Sequence, residues 1–372
     1  MRIAIVINTS WNIYNFRMSL VQALLAEGHE VVAVAPQDAY SDRLTAAGCQ
    51  FVPVQMEKGT NPFTDMLLAW RLYQTYKHLQ PDVVLHYTIK PNIYGSLAAH
   101  WAGVPAINNV SGLGTVFITR DYVSAIAKAL YRLAFRYPAK VFFQNKDDLR
   151  LFLRNKLVQP GITEVLPGSG IDLQAFMPAG TFRRNQPFVF LMVARVLYDK
   201  GVIEFVEACK RVQAQQPQVK CQLLGKVDEM SRSGIRRSKL DALLATGKVE
   251  YLGATDDVAA VIATADCVVL PSYREGTPHT LLEAAAMAKP LIATDVPGCR
   301  DVVQHGLNGY LCRVRDAEDL AAKMQQLLQL PEAELERMGQ ASRQLAVTKY
   351  DDRFVIQKYL QAVEQVTAQV KI

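Results

Sequence analysis

Short apolar segments alternate with helical patterns along almost the whole chain. Two sets of segments rich in β-branched residues predict buried strands: RIAIVIN, EVVAVAP, CQFVPVQ, DVVLHYT, PAINNVS and KVFFQN, then FVFLMVA, VKCQLLG, VEYLG, CVVLPS, PLIATD and YLCRV. Helical spacing of apolar residues fills the intervals, for example over 17–27 and 62–79. This alternation predicts βαβ units and therefore an α/β fold with parallel sheets.

A segment without periodicity separates the two sets. PGSGIDLQAFMPAG, residues 167–180, contains Gly and Pro and suits an interdomain connection. A chain of 372 residues is long enough for two cores of ordinary size. We predict a first domain over 1–170 and a second over 180–350. The apolar face of the last helix, about 351–372, fits a helix that crosses back to the first domain as well as an ordinary terminal helix.

Composition narrows the class of protein. Hydrophobic residues make up 50% of the chain and charged residues 20%, which is typical of globular proteins. The beginning, MRIAIVIN, predicts a strand and not a signal peptide, and no apolar run reaches the ~18 residues of a membrane span. The six cysteines lie far apart without C-x-x-C spacing, which indicates buried thiols in a reducing compartment.

Positive charge is concentrated in one region. The formal net charge is +6, and 120–156 alone holds nine Lys or Arg against three Asp. A helix predicted over 122–137 places Lys128, Arg132 and Arg136 at four-residue spacing among apolar residues. Such a helix fits docking on an anionic membrane surface, and a solvated face of a packed helix explains it equally well. Nucleic acid is not expected as a partner because no binding module or aromatic-basic surface motif is present.

The segment EGTPHTLLE, 275–283, directly follows the predicted strand CVVLPS. Thr277 is predicted to cap a helix that begins at Pro278. Free N–H groups around His279, Thr280 and Leu281, together with the helix dipole, favour binding of a diphosphate. Open α/β sheets bind ligands beyond the carboxyl ends of their strands, so this helix start is a candidate site.

Two acids flank that helix start, and two cations follow another strand. Carboxylates beside an anion site can accept hydrogen bonds from hydroxyl groups, so Glu283 is predicted to bind a ribose and Glu275 a sugar. A solvated acid favoured by the dipole is the alternative for Glu283. In VARVLYDKG, Arg195 and Lys200 can neutralise a diphosphate. A dinucleotide-binding dehydrogenase is disfavoured because the turn after the first strand, NTSWNIYNFR, has no glycine.

These motifs together resemble those of a known family. ARVLYDKG, GSGID and EGTPHTLLEAAAMAKPLIATDVPG are similar to segments of glycosyltransferase family 4, retaining enzymes that use nucleotide-diphosphate sugars without a metal. NFRMSL, APQD, NPF, KPNIYGSLAAHWAGVP and VSGLG resemble bacterial members that build O-antigen, capsule or N-glycan precursors. The resemblance implies the GT-B fold, in which two Rossmann-like domains have parallel sheets facing a central cleft.

The resemblance also implies roles for individual residues. Donor binding would use Arg195, Lys200, Glu275, Gly276, Thr277, Thr280, Leu281 and Glu283, with Glu275, Lys200 and Arg195 also catalytic. Neither a cofactor nor a metal would be needed. Candidates for the acceptor follow strands of the first domain: Arg17 in the first turn of helix one, then His86, Lys90 and Asn92. His86 could approach the sugar or turn inward, and helix-start surface positions are the alternative for the others.

The chain departs from the family pattern in its first domain. Many members have a glycine pair after the first strand, where this chain has Thr9, Ser10, Trp11 and Asn12. Many also carry H-x-H at the end of the fourth strand, where the register here gives Leu85 and Tyr87. The role of a histidine as a general base is therefore in doubt.

The expected activity is retaining transfer of a hexose or N-acetylhexosamine from a UDP-sugar to an undecaprenyl-diphosphate-linked glycan precursor. We expect a cytoplasmic protein, peripheral on the inner face of the plasma membrane. Two alternatives remain open: a UDP-sugar 2-epimerase of the same fold, and a non-catalytic sugar-binding module.

Overall fold

The chain divides into two α/β units. The first comprises Met1–Ser169 with Asp352–Ile372, and the second comprises Gly170–Asp351. The computed structural model describes residues 1–57, 59, 61–113, 122–178, 180 and 184–370. The last helix, Asp352–Val370, packs in the core of the first unit through Tyr359 and Val363.

The described strands of the first unit form one parallel sheet in the order β3-β2-β1-β4-β5-β6-β7. They are β1 (Arg2–Val6), β2 (Glu30–Ala35), β3 (Gln50–Pro53), β4 (Val83–Tyr87), β5 (Ala106–Val110), β6 (Lys140–Phe143) and β7 (Thr163–Val165). The first six coincide with predicted strands. The seventh was not predicted because it is only three residues long and half-buried.

Helices cover both faces of this sheet. They are α1 (Ser10–Phe16), α2 (Met18–Ala26), α3 (Ser41–Ala46), α4 (Pro62–Leu79), α5 (Ser96–Ala102), α6 (Tyr122–Ala134) and α7 (Lys146–Arg154), with a π-helical turn, Pro91–Gly95, before α5. The helices α1, α2, α3 and the C-terminal helix share a core with one face. The other face packs against α4, α5, α6 and α7. Burial on both faces explains why the strands are continuous apolar runs.

The second unit has a parallel sheet whose described strands follow the order β10-β9-β8-β11-β12-β13. They are β8 (Val189–Val193), β9 (Lys220–Leu224), β10 (Glu250–Tyr251), β11 (Cys267–Leu270), β12 (Leu291–Thr294) and β13 (Gly309–Cys312). Each coincides with a predicted strand. The order reverses between β8 and β11, and the carboxyl ends of strands at such a point are where open α/β sheets bind ligands.

Helices cover both faces of the second sheet as well. They are α8 (Val202–Gln215), α9 (Arg237–Leu244), α10 (Val258–Ala263), α11 (His279–Ala286), α12 (Cys299–Val302), α13 (Ala317–Leu328) and α14 (Glu332–Leu345). All six cysteines lie within the described residues and are buried and free, as predicted. No helix in the described ranges has both the length and the apolar character that crossing a membrane requires.

Candidate active site

An ion pair joins the segments that follow β8 and β11. Lys200 ends a short 3₁₀ turn, Tyr198–Lys200, after β8, and its Nζ lies 2.5 Å from Oε1 of Glu275. The hydroxyl of Ser272 donates to the same carboxylate oxygen at 2.7 Å. Both charged side chains are mostly buried, with 18% and 13% of their surface exposed. The structure thus brings together two predicted site residues that are 75 positions apart in sequence.

Two glycines let these segments approach each other. Gly201 has a φ of +76°, and a Cβ atom there would lie 2.1 Å from the Pro271 carbonyl oxygen. Gly298, before α12, has a φ of +81°, and a Cβ atom there would lie 2.3 Å from the Gly276 carbonyl oxygen. Side chains at either position would force the backbone apart. The glycines therefore fix where Lys200 and Glu275 stand.

Arg195 has a different environment from Lys200. Its guanidinium Nη1 lies 3.3 Å from Oδ2 of Asp228, and its side chain is 56% exposed. Exposed ion pairs of this kind contribute little to stability. Arg195 is consequently held loosely at the carboxyl end of β8, where it can exchange Asp228 for another anion.

The start of α11 differs from the prediction. The helix begins at His279, and its N-cap is Pro278, which has an extended conformation and makes no side-chain cap hydrogen bond. The prediction that Thr277 caps the helix is therefore wrong. The Leu281 amide donates to the Pro278 carbonyl at 3.1 Å, so it is already used inside the first turn and is not a free donor for a phosphate.

Side chains in the first turns of α11 are fixed by hydrogen bonds. Thr280 Oγ1 donates to the Val193 carbonyl at 3.0 Å and ties the helix to the end of β8. Oε1 of Glu283 lies 2.8 Å from Nδ1 of His279, one turn earlier, and Glu283 is buried. The sequence interpretation used only the backbone N–H of His279 and did not predict this side-chain contact, although the i, i+4 spacing of a histidine and an acid is a signal for it.

Tyr273 and its partners Glu204 and Arg315, close in sequence or space to the Lys200–Glu275 pair, were missed by the sequence interpretation. The Tyr273 hydroxyl donates to Oε1 of Glu204 at 2.6 Å, and Arg315 lies 4.5 Å from the centre of the Tyr273 ring. Burial, followed by the hydrogen bond to Glu204, raises the pKa of Tyr273. The Tyr273 amide also donates to the Asp199 carbonyl, in the turn that carries Lys200. Tyr273 thus braces the Lys200 turn against the segment after β11.

His86 is a core histidine and not an acceptor-binding residue. It is completely buried in β4, with Nε2 2.8 Å from the Tyr76 hydroxyl and Nδ1 2.9 Å from Asn108 Oδ1. Burial lowers the pKa of His86 to about 4. A Cβ atom at Gly95 would lie 2.6 Å from Nε2, so the backbone of the π-helical turn packs directly against the His86 ring. The prediction that His86 contacts a substrate is wrong because every position of this strand is buried.

Lys90 is engaged in an ion pair. Its Nζ lies 2.6 Å from Oδ1 of Asp65 on α4, and only 17% of its side chain is exposed. The Tyr94 hydroxyl donates to the other oxygen of Asp65 at 3.1 Å. This pairing holds α4 against the π-helical turn, which favours a structural role for Lys90.

Arg17 was predicted to lie in the first turn of a helix. It lies instead between α1 and α2, one residue before α2 begins. It is buried, its Nη1 donates to the Phe16 carbonyl, and its guanidinium lies 4.5 Å from the centre of the Tyr87 ring. Its Nε has no hydrogen-bond partner among the described residues, and none of their ion pairs includes Arg17. A buried cation without an anion is energetically unfavourable, so this position favours an anionic ligand.

Asn92 belongs to a buried polar group beside Arg17. Its Nδ2 donates to the Asn109 carbonyl at 2.8 Å, and Asn109 Nδ2 donates to the Tyr359 hydroxyl at 2.7 Å. The Tyr359 and Tyr87 rings are 6.0 Å apart. The Oδ1 atoms of Asn92 and Asn109 accept no hydrogen bond from the described residues. Arg17 and Asn92 are thus linked at the carboxyl ends of β4 and β5, where ligands of such sheets bind.

The predicted basic helix ends earlier than expected. It spans Tyr122–Ala134, and Arg136 follows it. Arg132 and Arg136 are exposed, and Arg132 Nη2 donates to the Asn155 carbonyl at 3.1 Å. Among the residues that the structure describes, no three His, Cys, Asp or Glu side chains are grouped as a metal site would require.

Comparisons with known proteins identify the family. The glycosyl transferases group 1 family matches residues 175–345, and the glycosyl transferase 4-like family matches residues 2–145. The first covers the segments that carry Lys200, Glu275 and Glu283, and the second covers the segment that carries Arg17.

Individual proteins resemble the whole chain. It is 30% identical to the N,N'-diacetylbacillosaminyl-diphospho-undecaprenol alpha-1,3-N-acetylgalactosaminyltransferase of Campylobacter jejuni, with 100% of both chains covered. It is 26% identical to the UDP-Gal:alpha-D-GlcNAc-diphosphoundecaprenol alpha-1,3-galactosyltransferase of Escherichia coli, over 72% of this chain and 71% of that enzyme. The crystal structure of Anabaena Alr3699/HepE in complex with UDP-glucose superposes with a TM-score of 0.81 at 17% identity, covering 98% of this chain and 100% of that chain.

These findings confirm the resemblance drawn from the sequence motifs. The two family models match most of both units, and the Campylobacter enzyme aligns along the whole chain. The chain therefore belongs to the group 1 glycosyltransferases, is an enzyme that transfers sugar residues, and has the GT-B fold.

Proposed function

We propose that this enzyme transfers a hexose or N-acetylhexosamine from a UDP-sugar to an undecaprenyl-diphosphate-linked glycan precursor, with retention of anomeric configuration. The single observation that carries the proposal is the ion pair of Lys200 and Glu275 at the carboxyl ends of β8 and β11. The printed names of the Campylobacter and Escherichia coli relatives, which both contain a diphospho-undecaprenol acceptor, support the choice of acceptor.

The donor would be held by charges and hydroxyl groups of the second unit. Lys200 moves from Glu275 to the diphosphate when the donor enters, and Arg195 moves from Asp228. Glu275 then accepts hydrogen bonds from the transferred sugar, and Glu283, oriented by His279, accepts them from the ribose. The two cations thus exchange a carboxylate for the diphosphate, and Glu275 exchanges its cation for hydrogen bonds from sugar hydroxyl groups.

The same cations would assist departure of the diphosphate. Negative charge builds up on the leaving oxygen as the bond to the sugar breaks, and Lys200 and Arg195 stabilise this charge more strongly than that of the intact donor. We propose that these two side chains supply the positive field without a metal or another cofactor. The departing diphosphate takes the proton of the acceptor hydroxyl, so no protein nucleophile takes part.

The acceptor would be bound in the first unit. A diphosphate oxygen supplies an anion for the buried Arg17, with which no described carboxylate pairs, and Asn92 orients the adjoining group. Because the lipid portion of such an acceptor stays in the bilayer, we propose that the enzyme works as a peripheral protein on the cytoplasmic face of the membrane.

A ligand screen tests this proposal. Purified full-length protein is heated with UDP-sugars and with sugars of other nucleotides, and the rise in Tm is recorded. Binding to the folded state stabilises it by about 2.7 kcal/mol at a hundredfold excess over Kd. We expect UDP-sugars to raise Tm most. Absence of a rise with every nucleotide sugar would contradict the proposal.

Incubation with the donor alone separates transfer from epimerisation. The best UDP-sugar from the screen is followed by NMR without an acceptor. A transferase leaves the configuration of the donor sugar unchanged. Conversion at C2 with transient release of UDP would show a UDP-sugar 2-epimerase instead.

A further inference from the structure

One helix of the first unit carries an apolar stripe on its outer side. Phe63, Met66, Leu67 and Trp70 of α4 are 78%, 67%, 42% and 56% exposed. Their spacing of three, four and seven residues places them on one side of the helix. The opposite side of α4 packs on the sheet. The helix is therefore apolar on two sides, and only one of them is used by the fold.

The neighbouring helices extend this apolar surface. The helices α5 and α6 cover the same face of the sheet as α4. The Tyr94 side chain packs both against the apolar cluster under α4 and α5 and against the cluster under α6 and α7. On their outer sides Trp101, Ile126 and Leu133 are 55%, 45% and 42% exposed. Seven of the fifteen large hydrophobic side chains that are exposed among the described residues lie on α4, α5 or α6. Single exposed apolar residues are ordinary, but a concentration on one helical layer indicates an interaction surface.

A pocket with three cations lies at the α6 end of this layer. It has a volume of about 510 Å³ and is lined by Arg132, Arg136 and Lys156 together with apolar side chains such as Phe135 and Leu157. In the described part of the chain, no ion pair includes Arg136 or Lys156. Arginine beside apolar walls suits a phosphate group carried on a hydrocarbon, because the charge and the apolar stem then each meet their complement.

We propose that the outer sides of α4, α5 and α6 dock on the surface of an anionic lipid bilayer. This docking face consists of the stripe Phe63, Met66, Leu67 and Trp70, the residues Trp101, Ile126 and Leu133, and the cations Arg132, Arg136 and Lys156. The stripe enters the boundary between headgroups and acyl chains, which aromatic residues prefer, and the cations bind lipid phosphates. The inference rests on the proposed function only in that a lipid-linked acceptor requires the enzyme to work at a bilayer.

Vesicle flotation tests the docking face without donor or acceptor. The full chain is mixed with vesicles of phosphatidylcholine alone or of phosphatidylcholine with phosphatidylglycerol. We expect binding to the mixed vesicles to be at least tenfold tighter. Phe63→Ser with Trp70→Ser should weaken it at least tenfold. Arg136→Glu with Lys156→Glu should lower the affinity for mixed vesicles about fivefold for each cation removed. Added salt should also weaken binding of the wild type, because it screens the attraction between cations and lipid phosphates.

Matched substitutions outside the docking face serve as controls. Phe354→Ser changes an exposed aromatic residue of the C-terminal helix, and Arg211→Glu changes an exposed cation of α8. Both should bind vesicles as the wild type does. Wild-type protein that stays unbound on mixed vesicles, or docking-face variants that bind equally well, would overturn the inference.

Two further readouts distinguish membrane docking from self-association and from a defect in catalysis. Sedimentation velocity would overturn the inference if the wild type dimerises, Phe63→Ser with Trp70→Ser is monomeric, and neither binds vesicles. Transfer to a short-chain soluble acceptor should be unchanged in the docking-face variants. If the wild type transfers no sugar to this acceptor, the proposed function is contradicted, but the conclusion from vesicle binding is unaffected.

Discussion

The two units of this enzyme hold their candidate site charges in opposite ways. In the second unit, Lys200 and Glu275 neutralise each other at the ends of two strands. In the first unit, Arg17 is buried over the Tyr87 ring, and no described carboxylate pairs with it. A paired cation can give up its partner when a ligand arrives, whereas a buried unpaired cation gains its first anion from the ligand. We infer that the second unit exchanges partners and the first unit acquires one.

Removal of the charges in the second unit should have the largest effect. We expect Lys200→Met or Glu275→Gln to reduce transfer about a thousandfold, because each loses charge or hydrogen bonding that acts in the transition state. Initial rates with purified donor and acceptor measure this. Since each single change leaves one mostly buried charge unpaired, the double variant keeps the test valid if a single variant unfolds.

A second ion pair provides the matched control for that experiment. Lys140 Nζ lies 2.7 Å from Oε2 of Glu164 in the first unit, with 23% and 28% of the two side chains exposed, and Lys358 Nζ lies 2.8 Å from the other oxygen of Glu164. Lys140→Met and Glu164→Gln should leave transfer within about twofold of wild type. Full activity of folded Lys200→Met would remove the basis for a donor site in the second unit.

His86 should affect the stability of the first unit and not its chemistry. Burial lowers the pKa of His86 from 6.5 to about 4. Between these values the unfolded chain binds a proton that the folded chain does not, so stability is fully present above pH 6.5 and is lost as pH falls towards 4. The total is roughly 3 kcal/mol. Urea unfolding across this range should show the loss in wild type and not in His86→Gln.

The pH profile of transfer gives an independent readout for His86. We expect the shape of the kcat/KM profile near neutral pH to be the same in His86→Gln and in wild type. An acid limb that disappears in the variant would show that this histidine takes part in proton transfer after all.

Gly298 tests whether a backbone contact sets the position of Glu275. Gly298→Ala adds a Cβ atom 2.3 Å from a carbonyl oxygen, whereas Gly306→Ala, at a similar positive φ, meets nothing within 4 Å. The control should cost about 1 kcal/mol from its left-handed backbone alone. Gly298→Ala should cost about 2 kcal/mol more and weaken donor binding, as measured by calorimetry. Equal effects of the two substitutions would show that the loop tolerates the contact.

The acceptor side should show the smallest effect. Arg17→Gln is expected to raise KM for the lipid-linked acceptor about tenfold, because one charge-assisted contact is lost, and to leave donor affinity unchanged. Arg43→Gln is the control, since Arg43 also lies over tyrosine rings of the first unit but is exposed. A rise in the KM for the donor in Arg17→Gln would show that Arg17 contacts the donor and not the acceptor.

Local signals in the sequence predicted much of the fold. The bounds of α4 were predicted correctly because Asn61 caps it and Pro62 begins it, so both signals lie next to the helix. The helix predicted over 17–27 corresponds to α2, which begins one residue later at Met18, whereas α1 was not predicted. Strand β7 was missed because three half-buried residues give no pattern.

Contacts between distant segments limited what could be predicted about the site. Lys200 and Glu275 were each predicted, but their mutual contact depends on the close approach of Gly201 to Pro271 and of Gly298 to Gly276. The environment of His86 comes from Tyr76, Asn108 and Gly95, which lie on three other elements. Alternation along a strand could not decide which way His86 points, because both faces of this sheet are covered.

The most direct test of the central claim is detection of the product. The full chain is incubated with the UDP-sugar selected by thermal shift and with an undecaprenyl-diphosphate-linked acceptor, and the lipid is examined by mass spectrometry and NMR. We predict that the acceptor gains one hexose or N-acetylhexosamine, in the anomeric configuration of the donor. Inversion of that configuration, or consumption of the donor with no change in the acceptor, would contradict the account.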